Sequence, residues 1–128
     1  MRGLRVLELG CGLGVPSLAA ALGGADVLAT DWAEDAIELL RSNAERAGIV
    51  LSAEVVRWDR PEAILRESWD LVLAADLIYE QRNADLLAEV LLRLDGETLL
   101  LQPPRPYVEP FLERIHAEQI GERLYRIP

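Results

Sequence analysis

Glycine recurs at alternate positions in one short segment, Gly10-Cys11-Gly12-Leu13-Gly14, which follows an apolar run. Glycine tolerates positive φ and lets the backbone approach a bound molecule closely, so this segment is a candidate ligand loop. The dinucleotide-binding pattern is G-x-G-x-x-G, but here the third glycine comes one residue early and Val15 holds the dinucleotide position. The spacing therefore favours a ligand without a pyrophosphate, and a tight strand-to-helix turn without a ligand is the alternative.

A carboxylate and an indole follow the second apolar run of the chain. Asp31 comes seventeen residues after Gly14, and Trp32 is its neighbour. A carboxylate at the end of a strand can accept both hydroxyls of a ribose, or cap the helix that follows. Trp32 can lie against a purine face, or it can close the core under that helix. The sequence leaves both alternatives open for each residue.

Short apolar runs alternate with segments of helical period, a pattern typical of a parallel sheet covered by helices. Strands are predicted at 4–9, 26–30, 51–56, 69–75 and 97–101, with a candidate sixth at 124–127. Helices are predicted at 15–22, 35–47, 61–67, 83–94 and 107–119. This order predicts one doubly wound, mostly parallel α/β domain over residues 1–128, with helices on both faces and the glycine loop after the first strand.

Composition limits the kinds of partner. The 128 residues include 13 arginines, no lysine and 22 acidic side chains, which give a net charge of −9. An acidic chain is a poor match for a nucleic-acid backbone, and no apolar run approaches the roughly 18 residues of a membrane helix. One cysteine, Cys11, excludes a disulfide framework and cannot by itself build a metal site. We expect a soluble, cytoplasmic domain with no metal, nucleic-acid or membrane partner and with a neutral or cationic ligand.

Two segments resemble a known family. The run from Glu8 to Gly14, followed by Thr30-Asp31, resembles the first two motifs of the class I S-adenosylmethionine-dependent methyltransferases. The segment Asp76-Leu77-Ile78-Tyr79 resembles the D-x-x-Y signature of the seven-strand protein-lysine methyltransferases. The resemblance extends from residue 4 to about 115. It implies the Rossmann-like methyltransferase fold, with S-adenosyl-L-methionine as the cofactor.

The resemblance implies roles for the matching residues. With Trp32, the predicted cofactor-binding set is Glu8, Gly10, Cys11, Gly12, Gly14, Asp31, Trp58, Asp59, Ala75 and Asp76. Glu8 would orient the loop near the ammonium group of the cofactor, and Asp31 would hold the ribose diol. Trp58 and Asp59 fall where the family contacts adenine, and the sequence does not decide which of them takes the base.

Asp76 and Tyr79 would be the catalytic residues, shaping the channel where a substrate amine meets the methyl group. A lysine amine must first lose its proton, and a carboxylate with a tyrosine hydroxyl can hold the amine and steer its lone pair. The predicted function is therefore methyl transfer to a protein lysine amine. A small-molecule N-methyltransferase and a non-catalytic cofactor-binding subunit are the alternatives, whereas the glycine spacing disfavours a nicotinamide-dinucleotide enzyme.

The sequence departs from the family at both ends. Met1 comes three residues before the first predicted strand, where the family has a longer segment, and the chain ends at Pro128. We expect a sheet shortened at the N-terminus and lacking its last strand, with an exposed edge that favours a homodimer. Gln102-Pro103-Pro104-Arg105 follows the fifth strand rather than the fourth. We therefore interpret it as a loop in which Arg105 can touch substrate, and not as the N-P-P-Y loop of amide and adenine methyltransferases.

Overall fold

The structure is a computed structural model that describes residues 1–78 and 80–128. Its strands are β1 (Arg5–Leu9), β2 (Asp26–Asp31), β3 (Ser52–Val55), β4 (Leu71–Ala75), β5 (Glu97–Leu101), β6 (Glu118–Gln119) and β7 (Leu124–Ile127). Its helices are α1 (Val15–Leu22), α2 (Glu34–Ala47), α3 (Glu62–Leu65), α4 (Gln81–Arg93) and α5 (Val108–Arg114). Among these described residues, no helix is long and apolar enough to cross a membrane.

The strands form one sheet in the order β3-β2-β1-β4-β5-β7-β6. The first five strands are parallel, and β7 runs antiparallel to both of its neighbours. The chain winds outward from β1 in both directions, first to β2 and β3 and then to β4 and β5. The predicted doubly wound, mostly parallel fold is confirmed, and the order of the sheet reverses beside β1.

The central strand β1 is buried on both faces, which explains its nearly continuous apolar sequence. Leu7 and Leu9 pack into the core that also holds Leu87 of α4 and Phe111 of α5. Val6 faces the other way, into a smaller cluster with Ala20 of α1. Because side chains alternate along a strand, β1 is packed from both sides. The loop that follows β1 is therefore anchored to a buried strand.

The prediction that the sheet lacks its last strand is wrong. Residues 124–127 form β7, which pairs with β5 from Thr98 opposite Ile127 to Leu101 opposite Leu124. The two-residue strand β6 adds to its outer side, where Arg126 pairs with Glu118 at 2.6 Å. The edge of β5 is therefore covered, and the reason given for a homodimer does not hold at that edge. The homodimer itself stays a prediction.

The last helix is shorter than predicted. Helix α5 ends at Arg114 because His116 takes a left-handed conformation with a φ of 56°. The N–H of Ala117 then returns to the carbonyl of Leu112 at 3.0 Å, and that of His116 to Glu113 at 3.2 Å. These two bonds form a Schellman ending, which usually has glycine at the position of His116. Without that glycine, the sequence carries no signal for the end of the helix.

Candidate functional site

A crevice of about 740 Å³ opens at the carboxyl ends of β1, β2 and β4, where the order of the sheet reverses. Open α/β sheets bind ligands at this position. Eight predicted site residues line it: Gly10, Gly12, Asp31, Trp32, Trp58, Asp59, Ala75 and Asp76. Six lining residues were not assigned from the sequence: Arg57, Leu77, Glu80, Arg82, Asn83 and Leu86. Three predicted cofactor residues do not line the crevice, namely Glu8, Cys11 and Gly14, and Tyr79 lies outside the described residues.

Asp31 joins the glycine loop to the end of β2. Its Oδ2 accepts a hydrogen bond from the N–H of Gly12 at 2.9 Å, and its Oδ1 accepts one from Ala33 at 2.9 Å. The second bond spans two residues, the pattern of an Asx turn that leads into α2. A carboxylate has about four acceptor positions, so two remain for a ligand in the crevice. This turn is compatible with a ligand contact of Asp31, whereas the predicted helix cap is wrong, because the N-cap position of α2 is Ala33 and no side chain caps it.

Glu8 lies behind the loop, in the interior. Its side chain is 2% exposed, and its Oε1 accepts hydrogen bonds from the hydroxyl of Ser17 at 2.6 Å and from the Ser17 N–H at 3.2 Å. Glu8 thus ties β1 to the first turn of α1 across the glycine loop, in agreement with the orienting role predicted for it. Burial raises the pKa of the Glu8 carboxyl from 4.5 to about 7, against the opposing effect of the Ser17 bonds.

We expect Glu8 to make the folded chain less stable as the pH rises from about 4.5 to about 7. In this window the folded chain binds the Glu8 proton more tightly than the unfolded chain does, so raising the pH favours unfolding. The stabilisation is complete below the unfolded pKa and is lost as the pH passes the folded one. The shift corresponds to a change in the free energy of unfolding on the order of 3 kcal/mol.

Urea unfolding of the parent and of Glu8→Gln at several pH values measures this effect. The side-chain amide of the variant can still accept a hydrogen bond from Ser17, but it does not titrate. The contributions of the other titrating groups cancel in the difference between the free energies of unfolding of the two proteins. The stability of the variant relative to the parent should rise with pH across the window. A difference that stays constant with pH would contradict the assignment.

Cys11 and Gly14 support the loop from its inner side. The thiol of Cys11 is buried among Ala29, Ile37 and Leu40, and burial raises its pKa to about 12. The N–H of Cys11 donates to the carbonyl of Thr30 at 2.8 Å, which fixes the loop against β2. Gly14 lies against the side chain of Leu40 in α2. The predicted ligand contact therefore rests on Gly10 and Gly12, while Cys11 and Gly14 hold the loop in place.

Trp32 and the turn after β3 form one side of the crevice. Trp32 is 70% exposed and lines the crevice, so the alternative that it closes the core under α2 is wrong. Trp58 is half-buried and packs against the main core. The Asp59 carboxylate is held by the Arg57 guanidinium, with N···O distances of 3.0 and 2.7 Å. These bonds lower the pKa of Asp59 and leave the indole of Trp58 as the apolar surface of the turn.

Asp76 follows β4 directly and is the acidic residue of the D-x-x-Y segment. Its backbone is left-handed, with a φ of 50°, and its N–H donates to the carbonyl of Leu101 at 2.8 Å. Both carboxylate oxygens meet the Arg105 guanidinium: Nε lies 3.0 Å from Oδ1, and Nη2 lies 3.0 Å from Oδ2. Arg105 belongs to the loop after β5, so two loops that are distant in sequence meet at this carboxylate.

Gln102 also holds the segment after β4, a role that no local sequence pattern indicates. Its side chain is 1% exposed. Its Oε1 accepts from the N–H of Ile78 at 3.3 Å, and its Nε2 donates to the Ile78 carbonyl at 3.4 Å. The Gln102 amide thus satisfies both backbone groups of Ile78, which lies within the D-x-x-Y segment. The interpretation of 102–105 as a loop fits the structure. Through Gln102, this loop fixes the segment after β4.

The start of α4 supplies a side of the crevice that was missed. Arg82, Asn83 and Leu86 line it from this helix, and Glu80 lines it from the residue before. The spacing of 82, 83 and 86 places these side chains on one helix face, which is the signal that could have found them. In the described part of the chain, Asn83 Oδ1 is buried and accepts no hydrogen bond. Arg82 and Glu80 therefore bring side chains of opposite charge to this side of the crevice.

The lining carries four carboxylates, Asp31, Asp59, Asp76 and Glu80, against the guanidinium groups of Arg57 and Arg82. A surplus of carboxylates in a concave site favours cationic ligands. Among residues 1–78 and 80–128, no group of three or more His, Cys, Asp or Glu side chains is placed to hold a metal ion. The crevice can therefore bind a cation mainly through carboxylates and backbone groups.

A family model described as lysine methyltransferase matches residues 1–102 of the chain. The chain is 36% identical over 110 residues to the electron transfer flavoprotein beta subunit lysine methyltransferase of Xenopus laevis, covering 81% of this chain and 43% of that protein. It is 33% identical over 108 residues to protein N-lysine methyltransferase METTL21A of Danio rerio, covering 79% and 49%. The chain thus spans about half the length of these curated relatives.

Solved structures share the fold. Magnesium protoporphyrin IX methyltransferase from Synechocystis PCC 6803, with bound SAM, superposes with a TM-score of 0.76 at 18% identity, covering 98% of this chain and 67% of that one. Monomeric WbdD superposes with a TM-score of 0.77 at 22% identity, covering 98% and 36%. At this level of identity the likeness concerns the architecture alone.

Proposed function

The chain belongs to the lysine methyltransferase family, and on that premise we propose that it transfers the methyl group of S-adenosylmethionine to a lysine amine of another protein. One observation carries the proposal. The glycine loop with Asp31 and the D-x-x-Y carboxylate Asp76 line the same crevice, although they are 45 residues apart in sequence. A site for a nucleoside and a site for an amine thus share one cavity.

The residues of the crevice fit S-adenosylmethionine. A Cβ at Gly12 would meet no atom within 4 Å, so the loop borders open space on this side. Asp31 keeps acceptor positions suited to a ribose diol. The exposed face of Trp32 and the indole of Trp58 offer apolar surfaces for a purine, and the surplus of carboxylates suits a cationic molecule. These features support Gly10, Gly12, Asp31, Trp32 and Trp58 as the residues that hold the cofactor.

When bound, S-adenosylmethionine supplies a methyl group on a positively charged sulfur, which is open to in-line displacement. This chain's residues then have to position an amine, and most of the rate comes from that positioning. Asp76 binds the amine at the β4 side of the crevice and orients its lone pair, a task that the sequence also predicts for Tyr79. Because Asp76 is half-exposed, solvent can take the proton that a lysine ammonium must lose.

We expect Asp76→Asn to lower methyl transfer by about tenfold or more while cofactor affinity changes by less than about threefold. The amide keeps the size of the side chain but loses the charge that attracts and orients an ammonium group. The assay mixes the chain with methyl-labelled S-adenosylmethionine and a cell extract, and methyl-lysine is identified in the labelled proteins. The chain contains no lysine, so methyl-lysine cannot come from the enzyme itself.

Asp85→Asn is the matched control, because Asp85 is an exposed aspartate of α4 that does not line the crevice. Equal transfer by Asp76→Asn and the parent would remove Asp76 from the reaction. Label that enters only small metabolites would indicate a small-molecule N-methyltransferase instead. Cofactor binding without transfer to any component of the extract would indicate a non-catalytic cofactor-binding subunit.

A further inference from the structure

The Asp76 carboxylate already holds a cation from its own chain. The Arg105 guanidinium meets both carboxylate oxygens at 3.0 Å in a two-pronged ion pair. Under the proposed function, the same carboxylate receives the substrate amine. A carboxylate held at both oxygens by a planar guanidinium has little free surface on that side for a second cation.

The loop after β5 holds Arg105 beside Asp76. Prolines at 103, 104 and 106 flank Arg105 and restrict its backbone. The buried amide of Gln102 anchors the start of this loop to Ile78, two residues from Asp76. The Asp76 N–H to Leu101 carbonyl bond adds a third link between the same two segments. The backbone position of Arg105 is therefore set by the fold and not only by the ion pair.

The ion pair is nevertheless accessible to exchange. The side chains of Arg105 and Asp76 are 41% and 49% exposed. Ion pairs at such exposed positions contribute little stability, so an incoming cation can replace the guanidinium at small cost. The nitrogen electrons of a guanidinium are delocalised over the planar group, so Arg105 offers no free lone pair to accept a methyl group at this position.

We propose that Arg105 occupies the amine subsite, where it stands in for the ammonium group of the substrate until the substrate displaces it. This inference rests on the proposed function and deepens it, since it locates the substrate cation at the guanidinium position. It also explains why a cation at position 105 is compatible with the reaction: arginine holds the carboxylate without being consumed.

Arg105→Lys tests the proposal because it puts a methylatable amine at this position. The new ammonium loses a proton to solvent, and its nitrogen lone pair forms the N–C bond. At the same time the methyl–sulfur bond of S-adenosylmethionine breaks, and the sulfur keeps the bonding electrons. The parent has no lysine, so one lysine is present in the variant, and peptide mass spectrometry locates any added methyl group.

Arg126→Lys is the matched control. Arg126 also makes an exposed ion pair, with Glu118 at 2.6 Å, but its partner Glu118 does not line the crevice, whereas Asp76, the partner of Arg105, does. We expect Arg105→Lys to be methylated at position 105 at least about tenfold faster than Arg126→Lys is at position 126. Adding Asp76→Asn to Arg105→Lys should reduce that self-methylation, because the amine loses its partner.

Calorimetry with S-adenosylmethionine separates the two ways in which the proposal can fail. If Arg105→Lys binds the cofactor like the parent but is methylated no faster than Arg126→Lys, position 105 is not the amine subsite, and the proposed function is untouched. If the parent itself does not bind the cofactor, the proposed function fails and this inference fails with it.

Discussion

Asp31→Asn is expected to weaken S-adenosylmethionine binding by about 100-fold. The ionised carboxylate accepts hydrogen bonds from Gly12 and Ala33 and keeps acceptor positions for the ribose hydroxyls of the cofactor. An amide has one acceptor oxygen, so its NH₂ group would face either a backbone N–H or a ribose hydroxyl. Hydrogen bonds to charged groups contribute about 1.5–3 kcal/mol each, and the loss of one or two of them gives an effect of this size. Isothermal titration calorimetry measures it.

Asp35→Asn is the control, since Asp35 is an exposed carboxylate in the first turn of α2 that does not line the crevice. Its cofactor affinity should match that of the parent. Urea unfolding of Asp31→Asn then separates a loosened loop from a lost ligand contact. If the variant were less stable but bound the cofactor with unchanged affinity, Asp31 would serve the turn alone.

The glycine loop and the D-x-x-Y carboxylate could be predicted because their signals are local. Gly10 and Gly12 lie in the loop that follows β1, and Asp31 is the last residue of β2. A parallel sheet brings the ends of its strands to one edge. Sequence position therefore determined their place in space. The same logic failed for Cys11 and Gly14, because consecutive residues of a tight loop point in different directions, and only some of them reach the ligand side. It failed for Glu8 because the side chain of this β1 residue is buried against Ser17 of α1.

The contacts of Gln102 and Arg105 could not be predicted in this way. Both residues act on the segment after β4 from the loop after β5, and the contact depends on how the two parallel strands are aligned. No local sequence pattern indicates how β4 and β5 are aligned. The candidate strand at 124–127 is confirmed as β7, but its antiparallel pairing with β5 could not be predicted, because the chain returns to the sheet after a helix whose end carries no glycine.

Gly12→Ala and Gly14→Ala are expected to have different effects, although both glycines have positive φ, 50° and 77°. At Gly14 the new methyl group would collide with the Leu40 side chain, which is fully buried in α2. Overpacking costs about 1–3 kcal/mol and the left-handed backbone costs about 1–2 kcal/mol. Gly14→Ala should therefore lower the free energy of unfolding by about 2–5 kcal/mol.

At Gly12 the methyl group meets no atom within 4 Å, so the cost to stability is that of the backbone conformation, about 1–2 kcal/mol. The same methyl group points into space that the cofactor needs if Gly12 lines its site, and binding should weaken by about tenfold or more. Urea unfolding measures the loss of stability in both variants, and calorimetry measures their affinity for the cofactor. Cofactor binding by Gly12→Ala at the affinity of the parent would show that the ligand does not approach this part of the loop. An equal loss of stability in the two variants would contradict the different roles that the packing against Leu40 assigns to the two glycines.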